Sequence, residues 1–157
     1  MIINNLIKKM KLIRTNSLNQ DFKKLCHLLD SELNTRYGQV QSTYDEYNVI
    51  EEKTTVLVGY LGDIPVAIGC FKILDEKTIE IKRMYVRDEH RRKGLSTTLL
   101  NFLENWGKEK GFSIAKLETG KGQPEAINLY KKQGYTVIEN YGPYIGMSNS
   151  LCMEKKL

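Results

Sequence analysis

The sequence predicts an α/β (α+β) fold, with a mixed, mostly antiparallel central sheet flanked by helices, in a single domain over residues 1–157. Apolar, β-branched runs separated by short turns predict a three-strand meander near the middle of the chain. A basic, glycine-containing segment then joins the last of these strands to an amphipathic helix, and strand–helix–strand patterns follow. The length of 157 residues and the apolar share of 41% suit one compact core.

The first half of the chain predicts a strand, a helix and the meander. Asn16 or Ser17 is positioned to cap a helix that ends near Leu33, because apolar residues recur there at helical spacing. The polar segment 34–48 predicts a loop or a short second helix. The strands predicted in this half are Met10–Arg14, Thr54–Tyr60, Ile64–Leu74 and Thr78–Val86.

The second half alternates helices and strands. Leu95, Leu99, Leu103 and Trp106 mark one face of a helix that ends between residues 107 and 111. A second helix is predicted over 124–132, where a proline stands in the first turn and a glycine follows the end. The predicted strands are 113–119, 135–138 and 150–155, and the order implies one parallel crossover after the basic segment.

Composition argues against several classes of function. The net charge of +5 is moderate, and the basic cluster near residues 82–93 lacks the interleaved aromatics of a nucleic-acid module. Cys26, Cys70 and Cys152 form no ligand motif with His27 or His90, so neither zinc nor a disulfide framework is expected. Residues 1–12 lack the apolar core of a signal peptide, and no run is long enough to span a membrane. A cytoplasmic location without membrane or nucleic-acid partners is the expectation.

The most informative segment is Arg91–Ser96, which lies between a predicted strand and a predicted helix. The first N–H groups of a helix have no partner inside the helix, and the helix dipole there favours negative charge. A basic, glycine-containing turn at that point is therefore expected to bind an anion such as a phosphate.

Two motifs at matched positions resemble those of the GNAT superfamily of acetyl-coenzyme A-dependent N-acetyltransferases. Arg91–Ser96 resembles the pattern Gln/Arg-x-x-Gly-x-Gly/Ala, with Ser96 in place of the last small residue. Ala126–Tyr135 resembles Ala-x-x-Leu-Tyr-x-x-x-Gly-Phe/Tyr. The resemblance covers nearly the whole chain from residue 10 and is nearest to small bacterial members. It implies the acyl-CoA N-acyltransferase fold, with the sheet splayed between strands at about 78–86 and 113–119, acetyl-CoA as co-substrate, and no metal.

The same resemblance assigns the donor site. The family's pyrophosphate loop corresponds to Arg91, Arg92, Lys93, Gly94, Leu95, Ser96 and Thr97. The backbone positions that pair with the pantetheine arm correspond to Met84, Tyr85 and Val86, and the residue that contacts this arm from the later helix corresponds to Asn128.

Acetyl transfer to an amine requires a base, a polarised thioester carbonyl and a proton donor for the thiolate. Glu80 is the candidate base, since it lies eleven positions before Arg91, as in the histone acetyltransferase branch. A salt bridge to Lys82 is the alternative role for Glu80, with water taking the proton instead. On a regular strand Glu80 would share a face with Lys82 and Met84. Tyr130 is the candidate acid at the coenzyme sulfur.

The acceptor is expected to bind opposite the coenzyme, near Arg36, Tyr37, Asn48 and Tyr144. Arg36 could hold a carboxylate, which favours an amino-acid-like acceptor, whereas nearby acidic residues keep a polyamine-like acceptor open. The expected activity is direct transfer of the acetyl group to a small primary amine in a ternary complex. A protein lysine or N-terminal acetyltransferase and a non-catalytic CoA-binding regulator are the alternatives, and a homodimer is left open.

Overall fold

The structure, a computed structural model, describes residues 5, 9–38 and 55–157. The α/β fold is confirmed, and the elements follow the predicted order. The described strands are β1 (Met10–Thr15), β2 (Thr55–Leu61), β3 (Ile64–Ile73), β4 (Thr78–Val86), β5 (Ile114–Gly120), β6 (Thr136–Ile138) and β7 (Ser150–Lys156). The three longer helices among the described residues are α1 (Gln20–Tyr37), α2 (Leu95–Glu109) and α3 (Pro124–Lys132).

The seven strands form one sheet in the order β1-β2-β3-β4-β5-β7-β6. Strand β5 lies parallel to β4, as the crossover through α2 requires, and the other pairs are antiparallel. The last strand, β7, inserts between β5 and β6. The helices cover both faces, with α1 on one face and α2 and α3 on the other.

The sheet opens in its centre, as predicted. The β4–β5 ladder runs from the pair Thr78–Ile114 to the pair Ile81–Leu117 and stops there. Both strands continue, β4 to Val86 and β5 to Gly120, without pairing to each other. The unpaired backbone of β4 is therefore available to a ligand that adds to the sheet like a strand.

A β-bulge lies in β4 just beyond the end of this ladder. Cys70 pairs with Lys82 and Ile68 pairs with Tyr85, so Arg83 and Met84 together oppose the single residue Gly69. Arg83 takes a left-handed φ of +58°, which is uncommon for a residue with a Cβ. Its guanidinium contacts Asp30 of α1 at 2.5 Å, and this ion pair helps to hold the strained backbone in place.

The bulge corrects one expectation about side-chain direction. Glu80 and Lys82 do share the α1 face of the sheet, but Met84 packs on the opposite face, against Leu99 and Leu103 of α2. One extra residue reverses the alternation of a strand. Tyr85, rather than Met84, returns to the α1 face.

Helix α1 also differs from its predicted bounds. Its N-cap is Asn19, whose side chain accepts a hydrogen bond from the Phe22 N–H at 2.9 Å, rather than Asn16 or Ser17. The helix continues to Tyr37, so residues 34–37 are helical and not part of a loop. The remainder of the predicted 34–48 segment, beyond Gly38, lies outside the described residues.

Candidate functional site

The turn before α2 is shaped to present backbone N–H groups. Arg92 (φ +59°) and Gly94 (φ +78°) both have left-handed backbones, which bend the chain into a concave turn. Gly94 is the N-cap of α2 and offers no side chain, and the first bond into the helix runs from the Thr98 N–H to the Gly94 carbonyl. The N–H groups of residues 95–97 therefore face the solvent side, as a phosphate would require.

A continuous cleft runs from this turn to the opening in the sheet. Its outer part is lined by the turn, the end of β4, α3 and the second half of α1, and the inner part, of about 120 Å³, lies at the opening. Five residues line both parts, namely Leu29, Met84, Gln123, Ala126 and Tyr130. Predicted donor-site residues on the outer part are Met84, Tyr85, Val86, Arg91, Arg92, Gly94, Leu95, Ser96, Thr97 and Asn128.

The basic side chains of the turn are not equivalent. The Arg91 guanidinium binds Glu32 of α1 through two N–H groups and also donates to the Val86 carbonyl at 2.8 Å. The Lys93 ammonium donates to the Glu89 carbonyl at 2.9 Å. Arg92 is exposed, and it is the predicted loop residue whose charge is best placed to meet an anion. The outer cleft also carries Lys132, which the sequence prediction did not include.

Tyr130 lies where the two parts of the cleft meet and is 7% exposed. Burial, and then the charge of Glu118, raise the pKa of its hydroxyl above the ordinary value. The hydroxyl therefore keeps its proton at neutral pH, as a hydrogen-bond or proton donor must.

Glu80 is buried, with 2% of its surface exposed, and its partners come from three directions. Tyr141 donates to Oε2 at 2.5 Å, while the ammonium groups of Lys82 and Lys72 lie 3.5 and 3.8 Å from Oε1. The Tyr144 hydroxyl lies 3.4 Å from the Lys82 ammonium. These contacts match the salt-bridge alternative for Glu80, and its role as a base stays a prediction.

Glu118 of β5 is a candidate that the sequence analysis missed. It follows the last residue of the β4–β5 ladder and lines the inner cleft with Lys82 and Tyr130. Burial raises the pKa of Glu118 from about 4.5 to about 7, against the opposing effects of a Ser150 hydrogen bond and the charge of Lys82. A carboxyl group that titrates near neutrality can take and release protons. No short motif marks it, although the alternating buried pattern of β5 could have shown that it points away from the α2 face.

The predicted acceptor residues lie in different places. Tyr37 lines the inner cleft, whereas Arg36 lines the outer part, where its guanidinium contacts the Gly122 carbonyl at 3.2 Å and Glu125 at 2.5 Å. Tyr144 is 3% exposed and packs edge-to-face on Tyr141. Asn48 lies outside the described residues. The structure thus brings Tyr37 and the Tyr144–Lys82 pair to the inner cleft region, and it separates Arg36 from them.

Two classes of feature are missing from the part of the chain that the structure describes. No group of three or more His, Cys, Asp or Glu side chains within these ranges is arranged to hold a metal ion. Nor does any described helix combine the length and the apolar character needed to cross a membrane.

Comparison with known proteins identifies the family. The family model described as the acetyltransferase (GNAT) family matches residues 22–135, which include both the anion-binding turn and the segment around Tyr130. The chain belongs to this family. A curated relative from Azospirillum brasilense, named IAA acetyltransferase, is 40% identical over 78 residues, which are 50% of this chain and 51% of that protein. The chain spans about half the length, or less, of the first curated relatives that it matches.

Solved structures agree with this assignment. A protein from Klebsiella pneumoniae subsp. pneumoniae MGH 78578, provisionally assigned as an acyl-CoA N-acyltransferase, superposes with a TM-score of 0.79 at 27% identity, over 94% of this chain and 97% of that one. A GNAT family acetyltransferase from Elizabethkingia anophelis, solved with acetyl-CoA bound, has a TM-score of 0.68 at 13% identity over 95% and 99% of the two chains. The second likeness establishes the shared fold.

Proposed function

We propose that residues 1–157 act as one N-acetyltransferase domain, which transfers the acetyl group of acetyl-CoA to a small-molecule primary amine by direct attack in a ternary complex. The observation that supports this most strongly is the continuous cleft, because it joins a phosphate-binding turn to a gap between β4 and β5 with Tyr130 at the junction. Acetyl-CoA has the matching layout, with a pyrophosphate at one end of an extended arm and a thioester at the other.

In this proposal the N–H groups of residues 92–97 bind the pyrophosphate, and Arg92 adds a neighbouring positive charge. The pantetheine arm pairs with the unpaired backbone of β4 at Met84, Tyr85 and Val86. Asn128, exposed on α3 and lining the outer cleft, contacts the same arm. The side chain of Arg91 differs from that of Arg92 in its proposed role. It binds Glu32 and thereby orients the turn.

The thioester then lies at the opening in the sheet, next to Tyr130. Its carbonyl is polarised by a β4 backbone N–H near the bulge, and Tyr130 donates to the sulfur as negative charge develops there. Attack by the amine forms the C–N bond, breaks the C–S bond and releases coenzyme A as the thiol.

A small amine suits the inner cleft better than a peptide does. The cavity of about 120 Å³ is closed on one side by Tyr37, whose hydroxyl would lie only 2.1 Å from a Cβ built on Gly120. Such contacts leave little room for a backbone passing across the site. Segment 39–54 lies outside the described residues, and an acceptor role for Asn48 stays part of the proposal.

The test is a screen of primary amines, amino acids and short peptides with acetyl-CoA, with free thiol as the readout and mass spectrometry of the products. Acetylation of small amines at saturable rates is the expected result. Faster turnover of peptides would favour a protein acetyltransferase. Thermal stabilisation by acetyl-CoA without turnover of any amine would favour a CoA-binding regulator, and the absence of stabilisation would exclude the donor assignment.

A further inference from the structure

We propose that Glu118, rather than Glu80, is the group that binds the acceptor's ammonium and removes its proton. The inference rests on the proposed function and deepens it, because it defines where the acceptor amine sits and which charge it carries on arrival. It implies an acceptor that enters as a primary alkylammonium ion.

Glu118 lies at the edge of the opening in the sheet. It is the first residue of β5 beyond the paired ladder, so its backbone lies at the edge of the opening where the thioester is expected. Its side chain lines the same inner cleft as Tyr130, the proposed donor to the sulfur. A nucleophile held by Glu118 would approach from β5, while the thioester lies along β4 on the other side of the gap.

Charged and titratable groups from several elements surround Glu118. The charged and titratable groups that face it are Tyr37 from α1, Glu80 and Lys82 from β4, Tyr130 from α3, Tyr144 from the short turn 142–144, and Ser150 and Cys152 from β7. The cations that line the inner cleft are Lys82, which lies 3.5 Å from Glu80, and Arg83, which is paired with Asp30. Both cations already contact other carboxylates, so an ionised Glu118 can still attract an arriving ammonium.

Glu80 is less suited to the same task. A base must face its substrate, but Glu80 is 2% exposed, does not line the inner cleft, and accepts a hydrogen bond from Tyr141. Protonating Glu80 would also weaken its interaction with two ammonium groups, those of Lys72 and Lys82. Glu80 is thus a positioning residue, which holds Lys82 and Tyr141 in place.

The proton steps balance as follows. The Glu118 carboxylate takes one proton from the bound ammonium, which frees the nitrogen lone pair to attack the thioester carbon. The adduct loses its second N–H proton as the C–S bond breaks, and Tyr130 relays a proton to the departing sulfur. Glu118 then releases its proton to solvent, so the sum is an amide, a free thiol and one proton. The raised pKa of Glu118, about 7, matches this cycle at neutral pH.

The experiment compares Glu118→Gln, Glu80→Gln and the matched control Glu154→Gln, which removes a carboxylate paired with Lys116 on the neighbouring strand. Acetyl-CoA is the donor. The acceptors are the fastest alkylamine of the screen and hydroxylamine, which is already unprotonated at neutral pH. Carbon-13 NMR of labelled glutamate carboxyls in the intact protein measures the titration of Glu118 directly, without any acceptor.

With the alkylamine, Glu118→Gln should lower kcat/KM by about a hundredfold or more and abolish the acid limb near pH 7. With hydroxylamine the loss should shrink to about tenfold or less, because no proton needs to be removed before attack. Glu80→Gln should lower the rate and retain the acid limb, and Glu154→Gln should retain both. A carboxyl resonance that titrates near pH 7 should be missing from Glu118→Gln alone.

An acid limb that persists in Glu118→Gln, or that disappears in Glu80→Gln, overturns the assignment and leaves the proposed function standing. An equal loss with both acceptors also overturns it, since that result would mean a structural role. A wild-type protein that acetylates no amine overturns the proposed function itself, and the two failures are therefore distinct.

Discussion

Arg91 and Glu32 form a two-point contact between the anion-binding turn and α1, with Nη2–Oε2 at 2.5 Å and Nη1–Oε1 at 3.0 Å. The fork of a guanidinium matches a carboxylate in this way, so the contact fixes direction as well as distance. Helix α1 covers the inner cleft with Tyr37 and meets the turn through Glu32. One helix therefore touches both ends of the proposed donor site.

The Arg91–Glu32 contact should be measurable as a coupling free energy. In a double-mutant cycle with Arg91→Ala and Glu32→Ala, we expect a coupling of about 1 kcal/mol, because the geometry is good but both side chains are about one-third exposed. Urea unfolding of the four proteins provides the measurement. The more exposed pair Arg14–Glu109 is the control and should couple more weakly. Equal coupling free energies in the two pairs would show that the two-point geometry of Arg91 and Glu32 adds no stability.

Gly94 should matter for acetyl-CoA affinity beyond its effect on stability. Its φ of +78° makes Gly94→Ala cost about 1 kcal/mol of folding free energy, and the change lies in the turn that is proposed to bind the pyrophosphate. Gly62, in the β2–β3 turn at φ +62° with open space around it, provides the control Gly62→Ala. Calorimetry should find acetyl-CoA binding weakened by about tenfold in the first variant alone. Similar acetyl-CoA affinities in both variants would show that the turn does not bind the coenzyme.

Tyr130→Phe should separate catalysis from binding. The ring stays and keeps its edge-to-face contact with Tyr135, so acetyl-CoA affinity should change by less than about twofold. Turnover should fall by about ten- to a hundredfold, because the sulfur loses its proposed proton donor. The control is Tyr60→Phe on β2, which removes a hydroxyl bonded to Asp21. If Tyr130→Phe turns over at the wild-type rate, Tyr130 is not the acid.

Glu118 should also leave a signature in the pH dependence of stability. Its pKa is raised from about 4.5 to about 7 on folding, so its favourable contribution is complete below pH 4.5 and is lost as pH rises through 7. Glutamine mimics the protonated form. The stability of Glu118→Gln relative to wild type should therefore rise by about 3 kcal/mol between pH 4.5 and pH 8. Urea unfolding across this range measures the difference in unfolding free energy. If this difference does not change with pH, burial does not destabilise the ionised Glu118 carboxylate.

Much of the fold was predictable because the apolar pattern follows the burial of each element. The strand and helix order and the turn before α2 have local signatures, whereas the opening in the sheet was expected only from the family resemblance. The insertion of β7 between β5 and β6 has none, since it depends on which strand edges are available after the other elements pack. The end of α1 was misplaced for a related reason. Its last turn carries exposed polar residues at 34–36, and Tyr37 lines the inner cleft, so the segment looked like a polar loop although the helix continues.

The chemistry of the site was less accessible from the sequence. Glu80 stood out by its spacing to Arg91, but spacing does not reveal that Lys82, Lys72 and Tyr141 surround it. The raised pKa of Glu118 comes from its burial by other elements, against the opposing effects of Ser150 on β7 and Lys82 on β4. An environment that is produced by residues distant in sequence has no motif of its own.

The bulge at Arg83 reverses the side-chain alternation of β4 partway along its nine residues. Before it, Glu80 and Lys82 face the α1 side of the sheet, and after it Met84 and Val86 face the apolar layer under α2. A regular strand of the same length, without the bulge, would direct Met84 toward Glu80 and Tyr85 toward Leu99. The reversal therefore lets Met84 pack in the apolar layer although it has the same parity as the charged residues Glu80 and Lys82, and a change that flattens the bulge would exchange the two environments.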